Sequence, residues 1–290
     1  MSGKPDFQTL KPDWLKVTTP MGREYAALKK LFDGRSLHTV CQAAACPNRN
    51  ECWGAKTASF LILGGVCTRQ CRFCNVTKGK QPDSVSESEP EVLAKTVKEL
   101  GLKHVVITSV TRDDLPDGGA FQFRRCVRAL RRETPETAVE LLVPDFKGKA
   151  GALESIAADP PDVFGHNVET VPRLYASVRP VADYQKSLEV LKRFGETGAP
   201  CVLKSGMMLG LGEEKAEVEA VMDDLRRCGV SVLTLGQYLR PSERHIPVER
   251  WITPQEFDSY AKTARAKGFS AVFAAPFVRS SYRAAEALAR

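Results

Sequence analysis

Residues 67–74 read CTRQCRFC, which places Cys67, Cys71 and Cys74 at C-x3-C-x2-C spacing. Three thiolates are one ligand short of a closed tetrahedral zinc site. A second triplet lies just upstream in CQAAACPNRNEC (41–52), where Cys41, Cys46 and Cys52 are spaced C-x4-C-x5-C. Neither triplet has a histidine at zinc-finger spacing, and His38, three residues before Cys41, is the nearest. Thiolates are the standard ligands of iron–sulfur clusters. A cubane held by three cysteines leaves one iron open, and an open metal position can bind and polarise a substrate or cofactor.

Six of the nine cysteines fall within residues 41–74, a pattern that in a reducing compartment reads as metal ligation rather than a disulfide framework. Cys126, Cys201 and Cys228 are scattered through apolar or helical stretches and read as small buried hydrophobes. No run of eighteen apolar residues is present, so no membrane span is expected. The first residues, MSGKPDFQTLKPDW, lack the apolar core of a secretory leader and the Arg/Ser-rich character of a transit peptide, so a cytoplasmic location is expected. A net charge of +7 over 290 residues permits an acidic partner without calling for nucleic acid. The densest basic stretch, RRCVRALRR (124–132), reads as a solvated helix face or, more sharply, as a dock for an acidic protein.

From residue 60 onward strand-like and helix-like stretches alternate. Strands are expected at FLIL (60–63), HVVITSV (104–110), AVELLV (138–143), DVFGHN (162–167), CVLKSGMM (201–208) and SVLTLGQY (231–238), each followed by a helical pattern. Gly101 stops the first helix, and Thr253 with Pro254 starts the last. Six such units predict an α/β fold with a parallel sheet, open or barrel-shaped, and the near-continuous Val/Ile/Leu strands fit a sheet covered on both faces. The expected organisation is an N-terminal extension (1–59), the barrel (60–268) and a C-terminal extension (269–290). In parallel barrels chemistry gathers at the C-terminal ends of the strands. CTRQCRFC leaves the first strand there, and TRDDLPDGGA, HNVETV, GMMLGLGEE and QYLRPSERH leave later ones. Asn167, Glu169 and Lys204 are candidate polar contacts, and Arg112, Asp113 and Asp114 are expected to order the pocket unless Asp114 caps the next helix. Gly210 and Gly212 permit close backbone approach or simply make a strand-to-helix turn.

With Phe73 before its last cysteine, the C-x3-C-x2-C group resembles the cluster motif of the radical S-adenosylmethionine (radical SAM) superfamily. The resemblance implies a partial (β/α)6 parallel barrel, in agreement with the six units counted above. It also implies that the open iron takes the amino and carboxylate groups of S-adenosylmethionine, and that one electron then releases a 5′-deoxyadenosyl radical. Further stretches resemble the lipoyl synthase family along nearly the whole chain: KPDWLKV, HTVCQAAACPNRNECW, TSVTRDDLPDGGA, LLVPDF, HNVETV, GMMLGLGE, GQYLRPS and PFVRSSY. The upstream triplet and RSSY (279–282) are the most specific of these features.

That resemblance implies two 4Fe–4S clusters. Cys67, Cys71 and Cys74 hold the one that binds S-adenosylmethionine. Cys41, Cys46 and Cys52 hold an auxiliary cluster with a serine of RSSY as fourth ligand, Ser281 or alternatively Ser280. By composition alone the serine pair would be a helix cap. A serine oxygen is a harder ligand than thiolate and easier to lose from iron, which suits a cluster that gives up its sulfur. Phe73, Asn167, Glu169 and Lys204 are the candidate cofactor contacts. The implied reaction inserts sulfur at carbons 6 and 8 of an octanoyl chain on a carrier-domain lysine, with the auxiliary cluster as donor. Implied partners are octanoylated lipoyl carrier domains (a 2-oxoacid dehydrogenase E2 or the glycine cleavage H protein), an electron donor such as ferredoxin or flavodoxin, and an iron–sulfur cluster carrier. No nucleic acid or membrane is expected. Gln42, Gly165 and Ala275 depart from the family's usual residues without removing a ligand. The competing readings are another sulfur-inserting or thiomethylating radical enzyme and a non-enzymatic metal module.

Overall fold

The computed structural model describes residues 11–16, 30, 32, 34–35, 37–54, 57–282 and 284–288. The reading of the first ten residues as no secretory leader lies outside the described residues. Seven parallel strands form one sheet: β1 (Ala58–Ile62), β2 (His104–Ser109), β3 (Ala138–Leu142), β4 (Val163–Gly165), β5 (Val202–Leu209), β6 (Val232–Gln237) and β7 (Ala271–Ala274). They lie in sequence order across the sheet. Between them run α1 (Glu89–Leu100), α2 (Ala120–Glu133), α3 (Ala152–Ala157), α4 (Tyr184–Glu196), α5 (Lys215–Arg227) and α6 (Pro254–Ala266). The six strand–helix units read from periodicity are therefore present, and β1 and β7 are not paired to each other among the described residues.

Two features extend the sheet past the expected barrel limits. At one edge the two-residue strand His38–Thr39 pairs antiparallel with β1, so part of the N-terminal extension covers an edge strand that would otherwise be open. At the other edge β7 adds to β6 beyond residue 268, because the apolar SAVFAAP run continues the parallel pattern.

Each helix turns one apolar stripe inward. In α1 the buried Leu93, Ala94 and Val97 share a face, and Gly101 ends the helix in the left-handed conformation at φ 59°. In α6 the Thr253 hydroxyl accepts the Glu256 backbone N–H at 3.2 Å while Glu256 caps back, a box typically worth about 1 kcal/mol. Phe164 of β4 stacks on Phe194 of α4 with ring centroids 3.6 Å apart. The helix-facing sides of the strands, such as Val105, Ile107, Val139, Leu141, Leu233 and Leu235, form the core.

The other face of the sheet carries polar residues. The Lys204 ammonium of β5 reaches Glu140 of β3 at 2.8 Å, and His104 of β2 lies 3.4 Å from the same carboxylate. All three are buried. Burial pushes the Glu140 carboxyl up, but Lys204 and His104 more than offset it, so the group stays ionised. No helix among the described residues is long and apolar enough to cross a membrane.

Candidate functional site

The loop after β1 carries the first triplet. Cys67 sits in a two-residue strand, Val66–Cys67, parallel to Thr77–Lys78, and its carbonyl accepts the Gly79 N–H at 3.0 Å. The Cys67 sulfur receives the backbone N–H groups of Thr111 at 3.4 Å and Arg69 at 3.5 Å. Between the first two cysteines, Arg69 turns into the protein and grips two carboxylates at once. Its Nε and Nη2 meet Asp113 at 2.9 Å, and its Nη1 meets Asp145 at 2.7 Å. Burial works against the Asp145 carboxyl, but Arg69 overrides it and holds the pKa at about 2. This fork ties the cysteine loop to the loops after β2 and β3. Arg72 N–H donates to the Val178 carbonyl at 2.9 Å, and His245 Nε2 lies 3.1 Å from the Cys74 carbonyl, which ties the loop to two more.

The second triplet is built differently. Cys41 lies on the short helix Val40–Ala43, and Cys52 on Arg49–Gly54. The C-terminal tail closes over them. Asn48 donates to the Phe277 carbonyl at 2.6 Å, and the Tyr282 hydroxyl donates to Glu51 at 2.9 Å. Gly236 of β6 lets the tail cross, since a Cβ there would lie 2.0 Å from the Val278 carbonyl oxygen. Arg279 folds back on the Val278 carbonyl at 2.6 Å and lies near Cys46.

All nine cysteines are free thiols. Burial pushes Cys52 up to about 12, with Cys41 and Cys46 adding to it, and pushes Cys74 up to about 11, with Cys71 and Cys67 adding. Burial likewise raises Cys41 and Cys71. The members of each triplet therefore lie close enough to feel one another's charge. Among the described residues no three His, Cys, Asp or Glu side chains converge on a single metal ion. The donor set fits a thiolate-bound cluster: iron must displace the protons that burial keeps on Cys41, Cys52, Cys71 and Cys74. Cys126 is buried in the core, and Cys201 and Cys228 pack against it, as structural cysteines do.

The loop after β4 faces the first triplet. Glu169 adopts φ 67°, a left-handed backbone unusual for glutamate. That turn is pinned on both sides to β5, with Glu169 N–H donating to Gly206 O at 3.1 Å and its carbonyl accepting Met208 N–H at 2.9 Å. Burial raises the Glu169 carboxyl; Arg179 and Asn167 pull against it. The Asn167 amide donates to Glu169 at 3.2 Å and to Ser280 at 2.5 Å. The two serines of RSSY are thereby distinguished, because Ser280 is engaged by the barrel while Ser281 follows it in the tail.

Two buried nitrogens beside this loop have no hydrogen-bond partner, Nε2 of His166 and Nε of Arg179. Burial, reinforced by Arg179, holds the His166 ring at a pKa of about 4, so it is neutral. Its Nδ1 lies 2.8 Å from the Val143 carbonyl, and the Arg179 guanidinium touches the Asn167 and Val168 carbonyls and the Tyr175 hydroxyl. Arg179 also lies near Cys71 and Glu169. Orphaned polar atoms at the mouth of a barrel are what a polar cofactor would satisfy.

Several expected site residues fall elsewhere. Lys204, 2% exposed, is held by Glu140 and is not brought to the cysteines. Phe73 packs in a small apolar cluster with Tyr238 and Leu211. Arg112 is clasped by Asp114 at 2.8 Å, whereas Asp117 accepts the Gly119 and Phe121 N–H groups, so Asp117 rather than Asp114 meets the start of α2. Gly210 allows approach of the chain itself, since its Cβ would lie 2.4 Å from the Arg250 carbonyl, and the turn closes on the Glu213 carboxylate. Arg69, Asp145, Arg179 and His166 were not singled out in advance. Arg69 lies between two cysteines of the motif, and Asp145 and His166 lie within LLVPDF and HNVETV, whereas Arg179 carries no such local signal.

Comparison with known proteins agrees with this arrangement. A family model described as the Radical SAM superfamily matches residues 61–225. A second, the N-terminal domain of lipoyl synthase of the radical SAM family, matches residues 3–46. The lipoyl synthase of Nitrosococcus oceani is 54% identical over 275 residues, covering 94% of this chain and 85% of that protein. That of Methylococcus capsulatus is 53% identical over 282 residues, covering 97% and 87%. Among solved structures, the hydrogenase maturase HydG superposes with a TM-score of 0.58 at 13% identity, covering 92% of this chain and 71% of that one. Streptococcus suis SuiB bound to S-adenosylmethionine gives 0.58 at 11% identity, covering 78% and 53%. At such identities the structural likeness speaks for the fold.

Proposed function

This chain belongs to the lipoyl synthase family of the radical SAM superfamily, and from that premise we propose how its residues carry the reaction. The activity is insertion of two sulfur atoms into a protein-bound octanoyl chain. With S-adenosylmethionine and two iron–sulfur clusters bound, the site has at its disposal a primary carbon radical and a store of sulfide, the chemistry that unactivated C–H bonds require.

Cys67, Cys71 and Cys74 are assigned to the cluster that binds S-adenosylmethionine, and their loop is held rigid by Arg69. Neutral His166 Nε2 and Arg179 Nε supply two buried donor or acceptor positions for the cofactor's polar groups. Asn167 and Glu169 shape the same pocket from the β4 loop. Lys204 is left out of this assignment because Glu140 holds it inside the sheet. Cys41, Cys46 and Cys52, with Ser281, are assigned to the auxiliary cluster that donates sulfur. The engagement of Ser280 by Asn167 supports Ser281 as the ligand. The carrier is an octanoylated E2 or glycine cleavage H protein domain, the electron donor a ferredoxin or flavodoxin, a further partner an iron–sulfur cluster carrier, and the setting cytoplasmic.

The observation that supports this reading is the pairing of a barrel-anchored triplet with a tail-closed one, their loops joined where the Asn75 amide donates to the Ala43 carbonyl at 3.0 Å. The test is anaerobic incubation of the reconstituted protein with reductant, S-adenosylmethionine and an octanoyl-lysine peptide. Mass spectrometry is expected to find 5′-deoxyadenosine and a peptide heavier by two sulfurs. Deoxyadenosine without sulfur in the peptide would overturn the assignment of the second triplet.

A further inference from the structure

We propose that a basic groove opening on Cys46 is the dock for the folded carrier domain, an acidic polypeptide that presents the acyl-lysine. This inference rests on the function proposed above and deepens it. A cavity of about 440 Å³ is lined by Lys11, Lys16, Arg49 and Cys46. A neighbouring cavity of about 550 Å³ is lined by Lys11, Arg240, Glu243 and Arg244. Lys11 belongs to both, so the two cavities adjoin.

One end of the groove is at Cys46 and at Phe277, the carbonyl of which is bound by Asn48. The other end stops at Arg244, next to His245, the ring of which lies on the Cys74 carbonyl. The groove thus opens on Cys46, and the loop that forms its other wall touches the 67–74 loop through His245 and through Ile246 N–H, which donates to the Arg72 carbonyl at 3.3 Å. A substrate that must meet a radical made at one triplet and sulfur held at the other has to lie along such a path.

Its charge is predominantly positive. Lys16 pairs with Asp13, and Arg240 spends its guanidinium on the carbonyls of His245 and Glu243. Glu243 and Asp13 are outnumbered by Lys11, Lys16, Arg49, Arg240 and Arg244. The basic stretch of α2 makes the contrast. There Arg124 and Arg128 share Asp159, Arg131 meets Asp162, and Arg125 and Arg132 face Glu91. That helix is compensated and leaves little field for a partner, so the denser basic sequence is the weaker dock. Beside the groove, Trp14 stands 41% exposed on the short turn Asp13–Leu15. Tryptophan is enriched among interface anchors, and this one lies between Lys11 and Lys16 in the sequence.

The experiment compares the reconstituted wild-type protein with Lys11→Glu/Arg244→Glu and, separately, Trp14→Ala. Binding of an octanoylated carrier domain is measured directly, and turnover is measured on that domain and on a short neutral octanoyl-lysine peptide. Charge reversal is expected to weaken domain binding and raise its KM roughly tenfold or more, and wild-type binding is expected to fall with salt. Turnover on the short peptide is expected to be unchanged. Unaltered domain binding overturns the proposal. So does an equal loss on the short peptide, which would assign these residues to the pocket itself. A loss seen only with flavodoxin as reductant and not with dithionite overturns it too, because the groove would then serve electron delivery. If wild-type protein adds no sulfur to either substrate, the proposed function fails instead.

Discussion

The two cysteine loops present similar ligands on unlike supports. The 67–74 loop is embedded in the barrel, where one arginine holds two carboxylates from neighbouring loops and the sulfur of Cys67 receives two backbone N–H groups. The 41–52 loop rides on two short helices outside the barrel and is closed by the far end of the chain. A buried double ion pair is costly to open, since parting it leaves an uncompensated charge. Hydrogen bonds between a tail and a short helix are each worth only about 1 kcal/mol. The contrast matches the roles proposed, with one cluster retained through turnover and the other dismantled as it gives up sulfur.

The sharpest way to break the comparison is to remove one cysteine from each loop. Cys71→Ala is expected to abolish both deoxyadenosine formation and sulfur insertion, because no radical is made. Cys41→Ala is expected to abolish sulfur insertion while leaving deoxyadenosine formation within about twofold, as independent sites should behave. If Cys41→Ala also stopped deoxyadenosine formation, the two loops would not be separable.

Smaller changes test the supports themselves. Gly236→Ala sets a methyl group against the Val278 carbonyl, so the tail must lift. The expected cost is about 1–3 kcal/mol by denaturant unfolding, with sulfur insertion falling more than deoxyadenosine formation. Asp145→Asn tests the inner support. Its folded pKa of about 2 lies below the ordinary value of 3.8, so the Arg69 pairing stabilises the protein fully above about pH 4 and is lost as pH falls toward 2. That shift corresponds to about 2 kcal/mol at neutral pH. The variant is expected to lose this stability and to show a flatter acid limb in its unfolding profile. The smallest effect is expected of Tyr282→Phe, which removes the hydroxyl donated to Glu51. About 0.5–1 kcal/mol of tail docking should go, read as a slightly lower yield of sulfur per deoxyadenosine.

The outline of the fold and the grouping of six cysteines into two triplets were legible in the sequence, because both are local. A strand–helix alternation is a matter of periodicity, and cysteine spacing is a matter of a few residues. Gly101 and Thr253 marked helix ends for the same reason. What could not be read there depends on distance in space. The partners of Arg69 come from two other loops, so its charge could not be assigned to a clamp. Lys204 looked available as a polar residue on a strand, yet Glu140 on a strand two places away takes it. The basic run 124–132 read as a solvated helix face or a docking face, and only the fold brought acids from α1 and the α3–β4 connection to it. Only the tertiary structure decided which of two adjacent serines the barrel engages, because the choice rests on a hydrogen bond from Asn167, 113 residues away. Local pattern determined which groups this chain carries. Folding determined which of them are already satisfied, since a charge or a hydroxyl is free for chemistry only when no other part of the chain has claimed it.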